Sequence, residues 1–108
     1  MTIQQRHNIS VAGSGPTTMV FAHGFGCDQS MWRLLAPGYG ERFRTITYDL
    51  MGSGASDLSG YDRDKYASLH GHAEDLIDVI RASADGPVVF VGHSVSGMIG
   101  LIAGIKAP

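Results

Sequence analysis

The feature that most limits how this chain can fold is the run Val88-Val89-Phe90-Val91, which leads into Gly92-His93-Ser94-Val95-Ser96-Gly97 and then into the apolar stretch Met98 to Ala103. Four apolar β-formers without alternation describe a strand covered on both faces, the habit of interior strands in parallel sheets flanked by helices. The stretch behind them reads as a helix, so the six residues between must make a sharp turn. A strand, a tight turn and a helix in that order hold a central serine in a strained backbone conformation that pushes its hydroxyl clear of the sheet. The turn closes only with small residues two positions to either side. Gly92 meets that condition, and Ser96 replaces the usual glycine on the far side. Ser94 is therefore the candidate nucleophile.

Upstream, Asn8 to Ala12 and Thr17 to Ala22 read as two strands of a hairpin about Gly13-Ser14-Gly15-Pro16. Asp28 can cap a short helix that places Met31, Trp32, Leu35 and Ala36 on one face. Phe43 to Tyr48 reads as a strand ending at Asp49. From Leu69 the apolar residues Leu69, Ala73, Leu76, Ile77, Ile80 and Ala84 share one helical stripe, and His72, Glu74, Asp75, Asp78 and Arg81 opposite it are expected to face solvent. Asp85-Gly86-Pro87 ends that helix. Strands and helices alternate, so the class is α/β: an N-terminal hairpin, then a mostly parallel sheet with flanking helices. With 108 residues there is room for one domain at most.

The loop His23-Gly24-Phe25-Gly26 follows the strand Thr17 to Ala22, where a serine nucleophile needs a backbone N–H for the oxyanion. Phe25 is the candidate donor. Val95 is the second, because its N–H opens the helix behind the nucleophile and gains from the helix dipole. Such donors act on charge that appears only in the transition state, each worth ~3 kcal/mol. The glycine-rich loop Asp49 to Asp57 invites a phosphate-binding reading. It has neither a Gly-Lys-Ser ending nor G-x-G-x-x-G spacing, so a structural loop on the rim of the site is expected instead. Of five histidines, His7 is expected to be exposed, His70 and His72 open the long helix, His23 belongs to the Phe25 loop and His93 adjoins Ser94. None is placed to act as a base.

A net charge of −2 and the absence of any Lys/Arg run speak against nucleic acid as a partner. The longest apolar stretch, Met98 to Ile105, is too short to span a bilayer, and no signal-peptide pattern opens the chain. The single cysteine, Cys27, leaves no internal disulfide and fits a reducing compartment, so a cytoplasmic location is expected.

With His23-Gly-Phe-Gly-Cys-Asp-Gln-Ser30, Tyr48-Asp49, Gly52-Ser-Gly54 and Phe90-Val-Gly-His-Ser-Val-Ser-Gly-Met-Ile-Gly100 assembled, the sequence resembles one group within the α/β-hydrolase superfamily. It looks like the bacterial stress-sigma-factor regulator hydrolases and their plant relatives, the strigolactone and karrikin receptors. The resemblance runs from about Asn8 to Pro108. It implies that residues 1–108 are the N-terminal half of an α/β-hydrolase domain, through the serine turn and its helix, without the cap, acid and histidine segments. The implied chemistry is attack by Ser94 on a small lipophilic ester or lactone, with the Phe25 and Val95 N–H groups as oxyanion hole and no metal or organic cofactor. In that fold the acid and then the histidine follow the serine in the chain, yet no Asp, Glu or His follows Ser94 here. The chain alone is therefore expected to be incompetent. The alternatives are a ligand-binding signalling module of the same fold that a protein partner reads, and a catalytically silent truncated fragment.

Overall fold

Both sides of the strand Thr17–Ala22 are apolar: Met19 and Phe21 turn to one, Val20 and Ala22 to the other, and all four are buried. A strand of that kind must lie between two layers. A computed structural model describing residues 2–84 and 86–108 has that arrangement. Its elements are α1 (Ile3–Arg6), β1 (Ser10–Gly13), β2 (Thr17–Ala22), β3 (Phe43–Tyr48), α2 (Leu69–Ser83), β4 (Val88–Gly92) and α3 (Val95–Lys106). The four strands form one sheet in the order β1-β3-β2-β4, with β2 parallel to β3 and β4, and β1 antiparallel to β3. On one face α2 and α3 cover Val20, Ala22, Ile46 and Tyr48 with Ala73, Leu76, Val79, Ile99 and Ala103. On the other, Trp32 and Ala36 cover Met19 and Phe21.

The α/β class holds, but β1 and β2 are not hairpin partners, because β3 lies between them. Their connection crosses the entry to β3. Ser14 N–H donates to the Gly40 carbonyl at 2.8 Å, and a Cβ at Gly15 would collide with the Arg42 carbonyl oxygen. The glycines of this turn serve that close passage, with Gly13 at φ +71, and not a two-stranded reversal. Asp28 does cap the next segment, accepting from Ser30 N–H at 2.8 Å. That segment forms two 3-10 turns, Gln29–Trp32 and Ala36–Tyr39, because Pro37 and Gly38 oppose a continuous α-helix. Trp32 and Ala36 are buried as expected, while Leu35 is exposed.

Three burial expectations are corrected. β4 is an edge strand, so Val89 is 41% exposed and the run is only half-covered. On α2, Glu74 and Arg81 face solvent, but His72 and Asp75 are buried because the 3-10 turn Lys65–Ala67 and α1 pack over that side. His7 is fully buried. A capping box between Thr2 and Gln5 forms α1, and the chain then runs inward, where His7 Nδ1 donates to the Asp49 carbonyl at 3.0 Å and Asp49 N–H donates back to the His7 carbonyl at 2.8 Å. Among the described residues no helix is long and apolar enough to cross a membrane.

Asp49 ties together the three segments that surround the carboxyl ends of β2 and β3. Its buried carboxylate accepts from Gln29 N–H at 2.9 Å, from Ala55 N–H at 3.0 Å and from Asn8 Nδ2 at 3.1 Å. A Cβ at Gly54 would stand 2.6 Å from the carboxylate carbon, so the Gly52–Gly54 loop is built around this acid. Asp49→Ala removes the shared acceptor of three segments and is expected to lower stability by about 3 kcal/mol. Urea denaturation measures it, and a loss below about 1 kcal/mol would mean that water replaces those bonds.

Candidate active site

Ser94 stands between β4 and α3, in the turn expected for it. Its backbone takes φ 56 and ψ −118, a region that non-glycine residues rarely occupy, and the residue is exposed. Close packing imposes this turn. A Cβ at Gly92 would lie 2.7 Å from the Ser96 carbonyl carbon and oxygen, so no side chain fits at position 92. Ser96 N–H donates to His93 O at 3.1 Å and Gly97 N–H to Ser94 O at 2.9 Å, which starts α3 directly behind the serine.

The parallel pairing of β2 with β4 sets Ala22 beside Gly92, and His93 N–H extends the ladder by one bond to the Ala22 carbonyl at 3.0 Å. Both following loops therefore leave the sheet at the same edge. They touch: a Cβ at Gly24 would stand 2.8 Å from His93 Nδ1, and the fully buried Ser96 hydroxyl donates to the His23 carbonyl at 2.5 Å. The serine that replaces the far-side glycine thus fastens the Ser94 turn to the Phe25 loop. Among the described residues, neither the Phe25 nor the Val95 N–H donates to a protein acceptor.

His23 is fully buried and both of its ring nitrogens are engaged. Leu50 N–H donates to Nε2 at 3.0 Å, which makes Nε2 the acceptor and puts the proton on Nδ1, and Nδ1–H donates to the Gly24 carbonyl at 2.7 Å. It is a structural pin and has no lone pair to offer Ser94. The loop Asp49 to Asp57 meets the Phe25 loop through this Leu50–His23 bond and the following 3-10 turn through the Asp49–Gln29 bond.

A polar cluster that the sequence reading missed lies under the Phe25 loop. Asp75 is buried, with Oδ1 accepting from Lys65 Nζ at 2.8 Å and Oδ2 from the Tyr66 hydroxyl at 2.6 Å, and His7 Nε2 lies 3.7 Å from Oδ2. Burial and then that hydrogen bond push the Tyr66 phenol well above its ordinary pKa. His72 packs between the rings of Tyr66 and Phe25. Only the pairing of an acid and a lysine ten residues apart could have hinted at this cluster, and that spacing has no helical meaning across the break at Ser68.

A model of the alpha/beta hydrolase family matches residues 19–107. The chain is 41% identical over 106 residues to a karrikin insensitive 2 receptor of Petunia hybrida, covering 98% of this chain and 39% of that protein. It is 38% identical over 101 residues to a strigolactone esterase of Arabidopsis thaliana, covering 94% and 38%. A solved hydrolase from Oleispira antarctica superposes with a TM-score of 0.93 at 41% identity, over 97% of this chain and 38% of that one. The chain thus spans less than two fifths of the length of each of these three proteins.

Burial holds the His72 imidazole below its ordinary value of 6.5, against a smaller upward pull from Asp75. The unfolded chain then takes up this proton first. Stability linked to His72 is full above about pH 6.5 and falls as the pH drops through the lower folded-state value. Thermal midpoints measured from about pH 7.5 to 5.5 should fall for the natural chain and fall less for His72→Phe. Parallel curves would contradict the assignment.

Proposed function

Because the chain belongs to the alpha/beta hydrolase family, we propose that it carries the nucleophile and oxyanion hole of a serine hydrolase that opens small lipophilic esters or lactones. Ser94 Oγ attacks the carbonyl carbon, and the π pair moves onto the carbonyl oxygen. The Phe25 and Val95 N–H groups receive that charge. Collapse of the intermediate expels the alkoxide, which a lactone keeps tethered, and water then releases the acyl group from Ser94. The observation that carries this reading is the Ser94 backbone, strained at φ 56, on an exposed turn fastened to the Phe25 loop. A small, apolar carbonyl substrate is consistent with the esterase named among the relatives.

The Ser94 proton must go to a base. His23 is committed through both nitrogens, His7 is buried with Nδ1 on the Asp49 carbonyl, and no Asp, Glu or His follows Ser94. These 108 residues by themselves are therefore proposed to bind and polarise a carbonyl without turning it over at enzymatic rates. A second reading draws on the petunia relative, which is named a receptor: ligand held at this site is read by a protein partner, and hydrolysis is slow or absent. Ligand-dependent capture of such a partner without ester turnover would favour it.

The 108-residue chain is expected to hydrolyse p-nitrophenyl acetate far below the ~1 to 10³ per second typical of enzymes. Joined at Pro108 to the corresponding C-terminal part of the Oleispira hydrolase, it should gain turnover that Ser94→Ala lowers by ~10⁴-fold or more. Turnover of the chimera that survives Ser94→Ala would refute Ser94 as nucleophile.

A further inference from the structure

The Phe25 N–H belongs to the Gly24–Phe25 peptide, so whatever fixes that plane fixes the direction of the donor. At its carbonyl end the plane is held by His23 Nδ1–H at 2.7 Å and by Cys27 N–H at 3.2 Å. The other end has less to hold it. Glycine stands on both sides of Phe25, and Gly26 takes φ +81, so the Phe25 side chain is the only side-chain handle on this stretch of backbone.

That ring is 58% exposed, and the aromatic group it meets is His72, with centroids 5.6 Å apart and planes at 63°. Edge-on contact of this kind is directional, because a positive ring edge meets a negative face. His72 is itself clamped. Tyr66 packs on it at 4.9 Å, and the Tyr66 hydroxyl is anchored on Asp75, which Lys65 holds from the other oxygen. Asp75 lies one helical turn beyond His72 on α2, so the same helix carries the ring and the anchor of its clamp.

We propose that His72 is a positioning residue of the oxyanion loop: its ring, clamped by Tyr66 and Asp75, holds the Phe25 side chain and with it the direction of the Phe25 N–H. This rests on the reading of that N–H as an oxyanion donor. His23 steadies one end of the peptide and His72 the other, and neither touches the substrate. The handle is the flat ring and not its charge, so another aromatic ring can replace it while an aliphatic one cannot.

Nitrogen-15 relaxation of the 108-residue chain tests this. In the natural chain the Gly24–Cys27 amides should be rigid, with order parameters near ~0.85, and His72→Ala should lower them below ~0.6 while β2 and α2 keep their values. His72→Phe should restore the loop. His72→Leu keeps an apolar filling of the site without a flat ring, and should loosen the loop even if the alanine variant fails to fold. Tyr66→Phe, which loses the bond to Asp75, should fall between. Loop order unchanged in His72→Leu, or lost equally in β2 and α2, would overturn the inference. Chemistry does not enter this measurement. Chimera turnover that survives Ser94→Ala would sink the reading of the site and leave loop order as it was, whereas a loop indifferent to the residue at position 72 would sink this inference alone.

Discussion

The parallel ladder between β2 and β4 is the interaction on which the site depends. Its register pairs Val20 with Phe90 and Ala22 with Gly92, and one further bond runs from His93 N–H to the Ala22 carbonyl. Parallel strands end at the same edge of a sheet, and the crevice outside their carboxyl ends is where α/β proteins build ligand sites. Once that register is set, the loops after Ala22 and after Gly92 have no freedom to separate. The requirement for glycine at 24 and 92 is a consequence: each is the point where one loop's backbone approaches the other loop or the next turn too closely for a Cβ. The strain at Ser94 is a second consequence, since the chain must turn from strand to helix within two residues.

Polar groups buried beneath these loops do what apolar packing alone cannot, which is to fix direction. His23 bridges the Leu50 N–H and the Gly24 carbonyl, Asp49 gathers Asn8, Gln29 and Ala55, and Ser96 spans from α3 to the His23 carbonyl. Most of these bonds join segments far apart in sequence. Their net energies are modest, about 1 kcal/mol apiece, but the cost of leaving any one partner unmet is larger, so the loops have one low-energy arrangement. The Gly52–Gly54 loop obeys the same constraint: its glycines close around the Asp49 carboxylate.

The turn at Ser94 was legible because its constraints are local. Gly92, Ser94 and the flanking strand and helix fall within one short window, and sterics allow few residue types there. The strand order was not legible in the same way. Asn8 to Ala12 and Thr17 to Ala22 contain strands, but whether they pair with each other or straddle β3 is decided by the passage of Gly13–Gly15 over Gly40 and Arg42, a contact between distant residues. The polar stripe of α2 misled for a related reason. His72, Asp75 and their charged neighbours have the pattern of a solvated face, and what buries them is a four-residue helix and a single 3-10 turn, elements too short to leave a periodic signal. His7 caps that short helix at its C-terminal end and is carried inward onto Tyr48 and Asp49, and the helix's one sequence mark is Thr2 three residues ahead of Gln5.

These contacts also divide the chemistry proposed for the site. Stabilising an oxyanion asks only that two N–H groups stay aimed at one place, and bonds among the described residues already hold the Phe25 and Ser94 loops. Moving the serine proton asks for a base with a free lone pair, and the histidine nearest in sequence to Phe25 has spent both nitrogens on holding that loop. The two demands conflict in one residue. An imidazole that pins the Gly24 carbonyl and the Leu50 N–H cannot also accept from Ser94, so in the proposed chemistry His23 would serve preorganisation and not proton transfer. Preorganisation and proton transfer are then separable. If Phe25 and Val95 are the donors proposed, such a hole would act on a polarised carbonyl whether or not a base is at hand, and on such a scaffold the step from hydrolysing a ligand to merely holding it would be short.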